Sequence, residues 1–251
     1  ASDDEDDDSP DVEYAFAENT PGEARPADCR AVVLCGPGAA TAFALGALPL
    51  TSAAWSLSVV EGTARAFPPP PRTPRFYVGG GGAGRPVAVA LLESAVPADS
   101  AVAWSKALLD AFPAVEEVLV LDRIFRAGWR TAAGAERPQE PHLCGLWTSA
   151  WGPDGPLAQA GGGALSRLPA PNVVEALPAA MLTRCEASGR RCLAALALQD
   201  GAHLGEGSIR AFGGLAPLLK QIGALPEDAK APDYREALRQ VVPPPSLSIY
   251  A

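Results

Sequence analysis

Apolar runs alternate with amphipathic stretches along most of this chain, and the clearest instructions lie between Pro171 and Asp200. Val174, Leu177, Met181 and Cys185 recur at three- and four-residue steps, which places them on one face of a helix. Asn172, with Glu175 three residues on, reads as a capping box at its start. Pro178 removes one helical hydrogen bond, so a kink or a restart is expected there. Gly189 supplies the left-handed residue that ends a helix. Cys192–Leu198 then runs without a charge, as a strand buried on both faces does.

The same alternation recurs elsewhere. Arg30–Cys35 predicts a buried strand, Gly36-Pro37-Gly38 a turn, and about Ala39–Leu48 a helix of small residues. Trp55–Val60, Val87–Leu92 and Val118–Leu121 predict further strands. A helix capped by Asp99 or Ser100 carries Trp104, Leu108 and Ala111 on one face and ends before Pro113. Phe67–Gly84 reads as a loop, stiffened by Pro68–Pro71 and loosened by Gly79–Gly82. From Arg123 to Pro169 the periodicity dissolves, with Leu143–Trp151 a short helix or an ordered loop. Ser208–Ile222 holds further apolar positions, and Asp233–Val241 predicts a short helix. Strands alternating with helices give an α/β class: a single three-layer domain with a mostly parallel sheet covered on both faces.

Charge sharpens the boundaries. The chain has 251 residues and a net charge of −9, yet eleven of its 29 acids fall in residues 1–28 against Arg25 alone. The rest is nearly neutral, so residues 1–28 are expected to be a disordered acidic tail, 29–242 the α/β domain, and 243–251 an extended C-terminal tail. No basic face offers itself to nucleic acid. Five cysteines without a CxxC pair read as buried, reduced thiols of a cytoplasmic or nuclear protein. The acidic start does not read as a secretory signal, which needs a basic n-region. Ala31–Val60 carries no charge, but Gly36-Pro37-Gly38 and Pro49 break it, so no membrane span is expected.

Reactive groups are sparse. His142 and His203 stand in loop-like contexts, and no GxSxG elbow, HExxH or other metal-ligand cluster occurs, so neither metal nor cofactor is expected. Asp122 and Asp200 end predicted strands, where α/β enzymes place functional carboxylates but where ordinary caps also sit. The Gly36-Pro37-Gly38 turn resembles half a dinucleotide fingerprint. Thr41 stands where that fingerprint needs glycine, however, and Glu61 is the one acid near the ribose-binding spacing. Close strand–helix packing is the simpler reading, with a small-molecule or nucleotide-binding enzyme at Gly36–Gly38 as the alternative. The chain closes differently: Pro243-Pro244-Pro245 favours an extended conformation, followed by SLSIYA. From Val242 onward such a segment reaches roughly 30 Å. Its last three residues, Ile249-Tyr250-Ala251, are hydrophobic–Tyr–any, which fits either docking with carboxylate capture or an apolar end that frays or adds to the sheet.

The segment PNVVEALPAAMLTRCE resembles the hallmark stretch of the eukaryotic proteasome assembly chaperone 1 family. AVVLCGPGAATAF with Trp55 after it, SIRAFGGLAPLL and the closing IYA agree with that family in order. The resemblance covers about half the chain and thins in residues 60–85 and 123–170, where Pro/Gly-rich insertions occur. It implies a phosphorylase/hydrolase-like α/β fold and a non-enzymatic role. Such a protein pairs with a related second chaperone, proteasome assembly chaperone 2, in a heterodimer. The pair holds proteasome α subunits while their ring assembles and prevents off-pathway pairing of rings. Carried over by position, Tyr250 would fill a pocket between neighbouring α subunits, the Ala251 carboxylate would pair with a pocket lysine, and Ile249 would add apolar contact.

Overall fold

The computed structural model describes residues 14–18, 25–50, 53–59, 74–79, 86–131, 136–159, 165–201, 204–230 and 232–241. Among them nine strands form one sheet: β1 (Tyr14–Glu18), β2 (Ala31–Cys35), β3 (Ala53–Val59), β4 (Arg75–Gly79), β5 (Val87–Leu91), β6 (Glu117–Phe125), β7 (Leu143–Trp147), β8 (Ser166–Arg167) and β9 (Arg191–Gln199). Their order is β1-β3-β4-β5-β2-β6-β9-β7-β8. The central four, β5-β2-β6-β9, are parallel. Antiparallel strands extend this centre on both sides: β4, β3 and β1 beyond β5, and β7 beyond β9.

Helices cover both faces, which is why β2 and β5 are buried at every position and carry no charge. On one face lie α1 (Ala39–Ala47), α5 (Glu206–Ala211), α6 (Ala216–Gln221) and α7 (Tyr234–Val241), packed over Val33, Leu119 and Leu193. The short α3 (Gly155–Gln159) joins them through Leu157. On the other face α2 (Ala101–Ala111) and α4 (Ala176–Ala187) cover Val32, Val120 and Cys192. Successive strand residues point to opposite faces, so each central strand feeds both cores. The expected three-layer α/β domain is present. No helix among the described residues is long and apolar enough to cross a membrane.

Four local expectations need correction. Asn172 does not cap α4. It bonds across to Arg130, accepting the Arg130 N–H at 2.8 Å and donating to the Arg130 carbonyl at 2.8 Å. The helix therefore starts later, at Ala176, with Glu175 at its N-cap position. Pro178 is consequently the third helical residue, where its missing N–H would have had no partner, and the helix runs on without a restart. The second correction is β4, which lies inside the stretch read as a loop; RFYVG is short and bounded by proline and glycine runs that masked it. Third, Leu143–Trp147 is strand β7, not a helix. A Cβ at Gly145 would sit 2.6 Å from the Ala194 carbonyl, so the glycine that hid the strand is what lets it approach β9. Fourth, Tyr14–Glu18, within the stretch expected to be disordered, pairs with β3 as an edge strand. That segment, YAFAE, is an apolar patch among the acids.

Candidate functional site

α7 closes the described part of the chain. Ala237 is buried, and a Cβ at Gly46 would come within 2.7 Å of the Ala237 Cβ, so α1 and α7 meet at near-backbone distance. The Arg210 guanidinium of α5 lies 6.0 Å from the ring centroid of Tyr234 in α7. α7 is thereby clamped, and its last residues, Gln240 and Val241, line a groove of about 450 Å³ with Gly38, Leu45, Tyr77 and Leu91. β2 and β5 end beside this groove, so the described residues end at the carboxyl edge of the parallel strands. Ile249, Tyr250 and Ala251 lie outside the described residues, as does the rest of 242–251.

At the same edge β2 and β6 lie side by side, the place where open α/β sheets bind ligands. Here the turn after β2 is filled from within. A Cβ at Gly36 would meet the Asp122 Oδ1 at 2.8 Å, and Gly38 takes φ 93°, a left-handed conformation that suits glycine. Arg123 donates to the Pro37 carbonyl at 3.3 Å. The Gly36 carbonyl accepts from both the N–H and the hydroxyl of Thr41. The Asp122 side chain thus fills the space against the turn. Gly36 is needed for close packing against β6, where close strand–helix packing was expected.

Burial pushes the Asp122 carboxyl up from its ordinary value, against the Arg123 N–H bond at 2.8 Å and the Arg123 charge, which pull it down. A raised folded-state value means that the protonated form suits the fold better than the charged form. The corresponding stability is full below the unfolded-state pKa and is lost as pH rises through the folded-state value. Asp122→Asn keeps the acceptor for Arg123 and removes the buried charge. Its urea midpoint at about pH 7 is expected to equal or exceed the wild type's, with that advantage shrinking on acidification toward about pH 4. A midpoint well below wild type at neutral pH would mean that the charge itself holds the turn.

The other singled-out residues serve the framework. Asp200 pairs with Arg126 at 3.2 Å, and its N–H donates to Glu140, which also accepts from Ser208. His142 stacks edge-on against Trp129 at 5.6 Å, and burial lowers its pKa. His203 lies outside the described residues. All five cysteines are buried and unpaired by disulfide. Burial pushes the Cys29 and Cys144 thiols up to about 12, so they behave as small apolar side chains. Among the described residues, no group of three or more His, Cys, Asp or Glu converges to hold a metal.

A second cleft, of about 400 Å³, opens between the far end of β6 and the loop leading into α4. Phe125 and Val173 line it and are 41% and 62% exposed, which is unusual for large apolar side chains. The Asn172–Arg130 latch holds its two walls together. Sequence periodicity missed this feature because Val173 precedes the helix and Phe125 extends a strand past its expected end.

No family model matches the chain, and no curated protein matches it. Solved structures do. Pyrococcus furiosus PbaB, an archaeal proteasome activator, superposes with a TM-score of 0.59 at 12% identity, over 92% of this chain and 95% of that one. Pyrococcus furiosus PbaA, an archaeal homolog of proteasome-assembly chaperone, gives 0.56 at 13% identity, over 91% and 87%. A Thermoplasma acidophilum protein of unknown function gives 0.56 at 13% identity, over 84% and 83%. The chain therefore has the fold shared by an archaeal proteasome activator and an archaeal proteasome-assembly chaperone homolog.

Proposed function

We propose that this protein is a proteasome assembly chaperone. It pairs with a related second chaperone as a heterodimer, binds α subunits, promotes α-ring assembly and prevents off-pathway pairing of rings. The observation that carries this reading is the fold: it matches the archaeal proteasome activator over 92% of this chain and 95% of that one. The hydrophobic–Tyr–any sequence supports the docking mode, and the anchored end of α7 supports its presentation. In this mode Tyr250 fills a pocket between neighbouring α subunits, Ile249 adds apolar contact, and the Ala251 carboxylate pairs with a pocket lysine.

Titration of the full chain against purified α subunits tests the reading. Appending one glycine after Ala251 moves the carboxylate by about 3.3–3.6 Å, beyond hydrogen-bond reach of the same lysine. Binding should weaken at least tenfold, with the unfolding temperature unchanged. Equal binding by the extended chain would remove the carboxylate from the mechanism, and no binding by either chain would reject the function.

A nucleotide-binding enzyme at Gly36–Gly38 is the alternative reading, and the Asp122 carboxylate against Gly36 counts against it.

A further inference from the structure

The cleft between the far end of β6 and the loop into α4 differs in character from floor to rim. Leu196 and Pro178 are buried and Asp122 is mostly so, whereas Phe125, Arg130, Val173 and Glu175 are exposed. Asp122 is the polar group of that floor. The Arg123 N–H donates to its Oδ1 at 2.8 Å, and the same oxygen lies against Gly36. Oδ2 accepts no hydrogen bond among the described residues. A mostly buried carboxyl with one oxygen engaged keeps acceptor capacity that a ligand N–H can use.

Four charged residues line the cleft, two of each sign, so its net charge does not choose a ligand. Their positions do. Arg123 alternates to the opposite face of β6 from Asp122. Its guanidinium is engaged there, donating to the Pro37 carbonyl at 3.3 Å and lying 4.9 Å from the Phe125 ring centroid. Arg130 and Glu175 are opposite in sign and both stand exposed at the rim. The Asp122 carboxyl is what remains at the floor.

Two further observations mark the place. Asp122 directly follows the point where β2 and β6 end side by side, the crevice in which open α/β sheets take ligands. Ala176, next to Glu175, takes φ 51°, a left-handed conformation that persists for a non-glycine residue only where its surroundings fix it. The Asn172–Arg130 bonds before it and the buried Pro178 after it do so here.

We infer that this cleft binds a small organic cation, an amidinium or ammonium head on an apolar body. The head meets the Asp122 carboxyl, and the body packs on Leu196, Val173 and Phe125. A volume of about 400 Å³ lies within the range of small-molecule sites. The site stands apart from the end of the chain and does not depend on the proposed chaperone function.

Benzamidine, with benzamide as its uncharged counterpart, tests this on the full chain by calorimetry, with backbone-amide NMR locating the contact. Benzamidine should bind saturably and at least tenfold tighter than benzamide, as a charge-assisted hydrogen bond allows. The shifted amides should centre on Ile124, Phe125, Val173 and Leu196. Asp122→Asn, its folding checked by a thermal melt, should level the two affinities. Absence of saturable benzamidine binding, equal affinities in the wild type, or shifts centred elsewhere would each overturn the inference, and none of these readings needs the variant. A preference that survives Asp122→Asn in a folded chain would overturn it too. Capture of α subunits through Tyr250 is untouched by any of these outcomes.

Discussion

Tyr250→Ala is expected to weaken capture of proteasome α subunits by roughly 30-fold or more while leaving the domain folded. The size follows from the proposed role. Truncating a buried aromatic anchor at a protein interface costs about 2 kcal/mol or more, and each 1.4 kcal/mol is about tenfold in affinity. Folding should be indifferent because α7 is held by Ala237 against Gly46 and by Tyr234, all upstream of Val242. Tyr250→Phe keeps the ring and should fall between. Biolayer interferometry on immobilised α subunits, paired with a thermal melt, separates the two effects. A melt that drops with the affinity would mean that the tail completes the sheet instead of docking elsewhere.

The largest effect on stability belongs to Phe112. It is fully buried at the end of α2, edge-on to Trp55 of β3 at 5.8 Å and tilted against Phe76 of β4 at 5.7 Å. These contacts tie the antiparallel flank of the sheet to the α2 face. Phe112→Ala removes a large buried side chain and both aromatic contacts, at an expected cost of about 3–5 kcal/mol. That is a large part of the roughly 5–15 kcal/mol that keeps a domain folded. Phe112→Leu retains most of the volume and should cost far less, about 1–2 kcal/mol, with the loss of ring geometry as its cause. Equilibrium urea unfolding distinguishes the two. Equal losses would mean that ring stacking outweighs volume at this site.

How much of this was legible in the chain depended on how many faces of each element are buried. β2, β5 and β9 declare themselves because covered strands carry unbroken apolar runs. α4 declares itself through Leu177, Met181 and Cys185, and its end through Gly189, whose φ of 68° needs the residue the sequence supplies. Its start was hidden, because Asn172 had a distant partner in Arg130 that outcompeted local capping. Ala176, the first helical residue, takes φ 51°, a conformation no sequence rule assigns to alanine. β4 and β7 were obscured for another reason. Short strands at the flanks owe their pairing to neighbours distant in sequence, and their glycines and prolines read locally as loop. The site divides similarly. Ile249-Tyr250-Ala251 is a contiguous signal and stands out in sequence. The Asp122 cleft joins Phe125 to Val173, far apart in the chain, and neither stands out until the fold sets them side by side.

The central claim is that Tyr250 enters a pocket between proteasome α subunits. Replacing Tyr250 with the photoreactive p-benzoylphenylalanine and irradiating the full chain with assembling α subunits tests it most directly. Mass spectrometry of the products should place the cross-link at the junction of two neighbouring α subunits, beside a lysine, with unlabelled wild-type chain competing it away. Cross-links confined to this chain's own domain, or scattered over α-subunit surfaces without competition, would contradict the account.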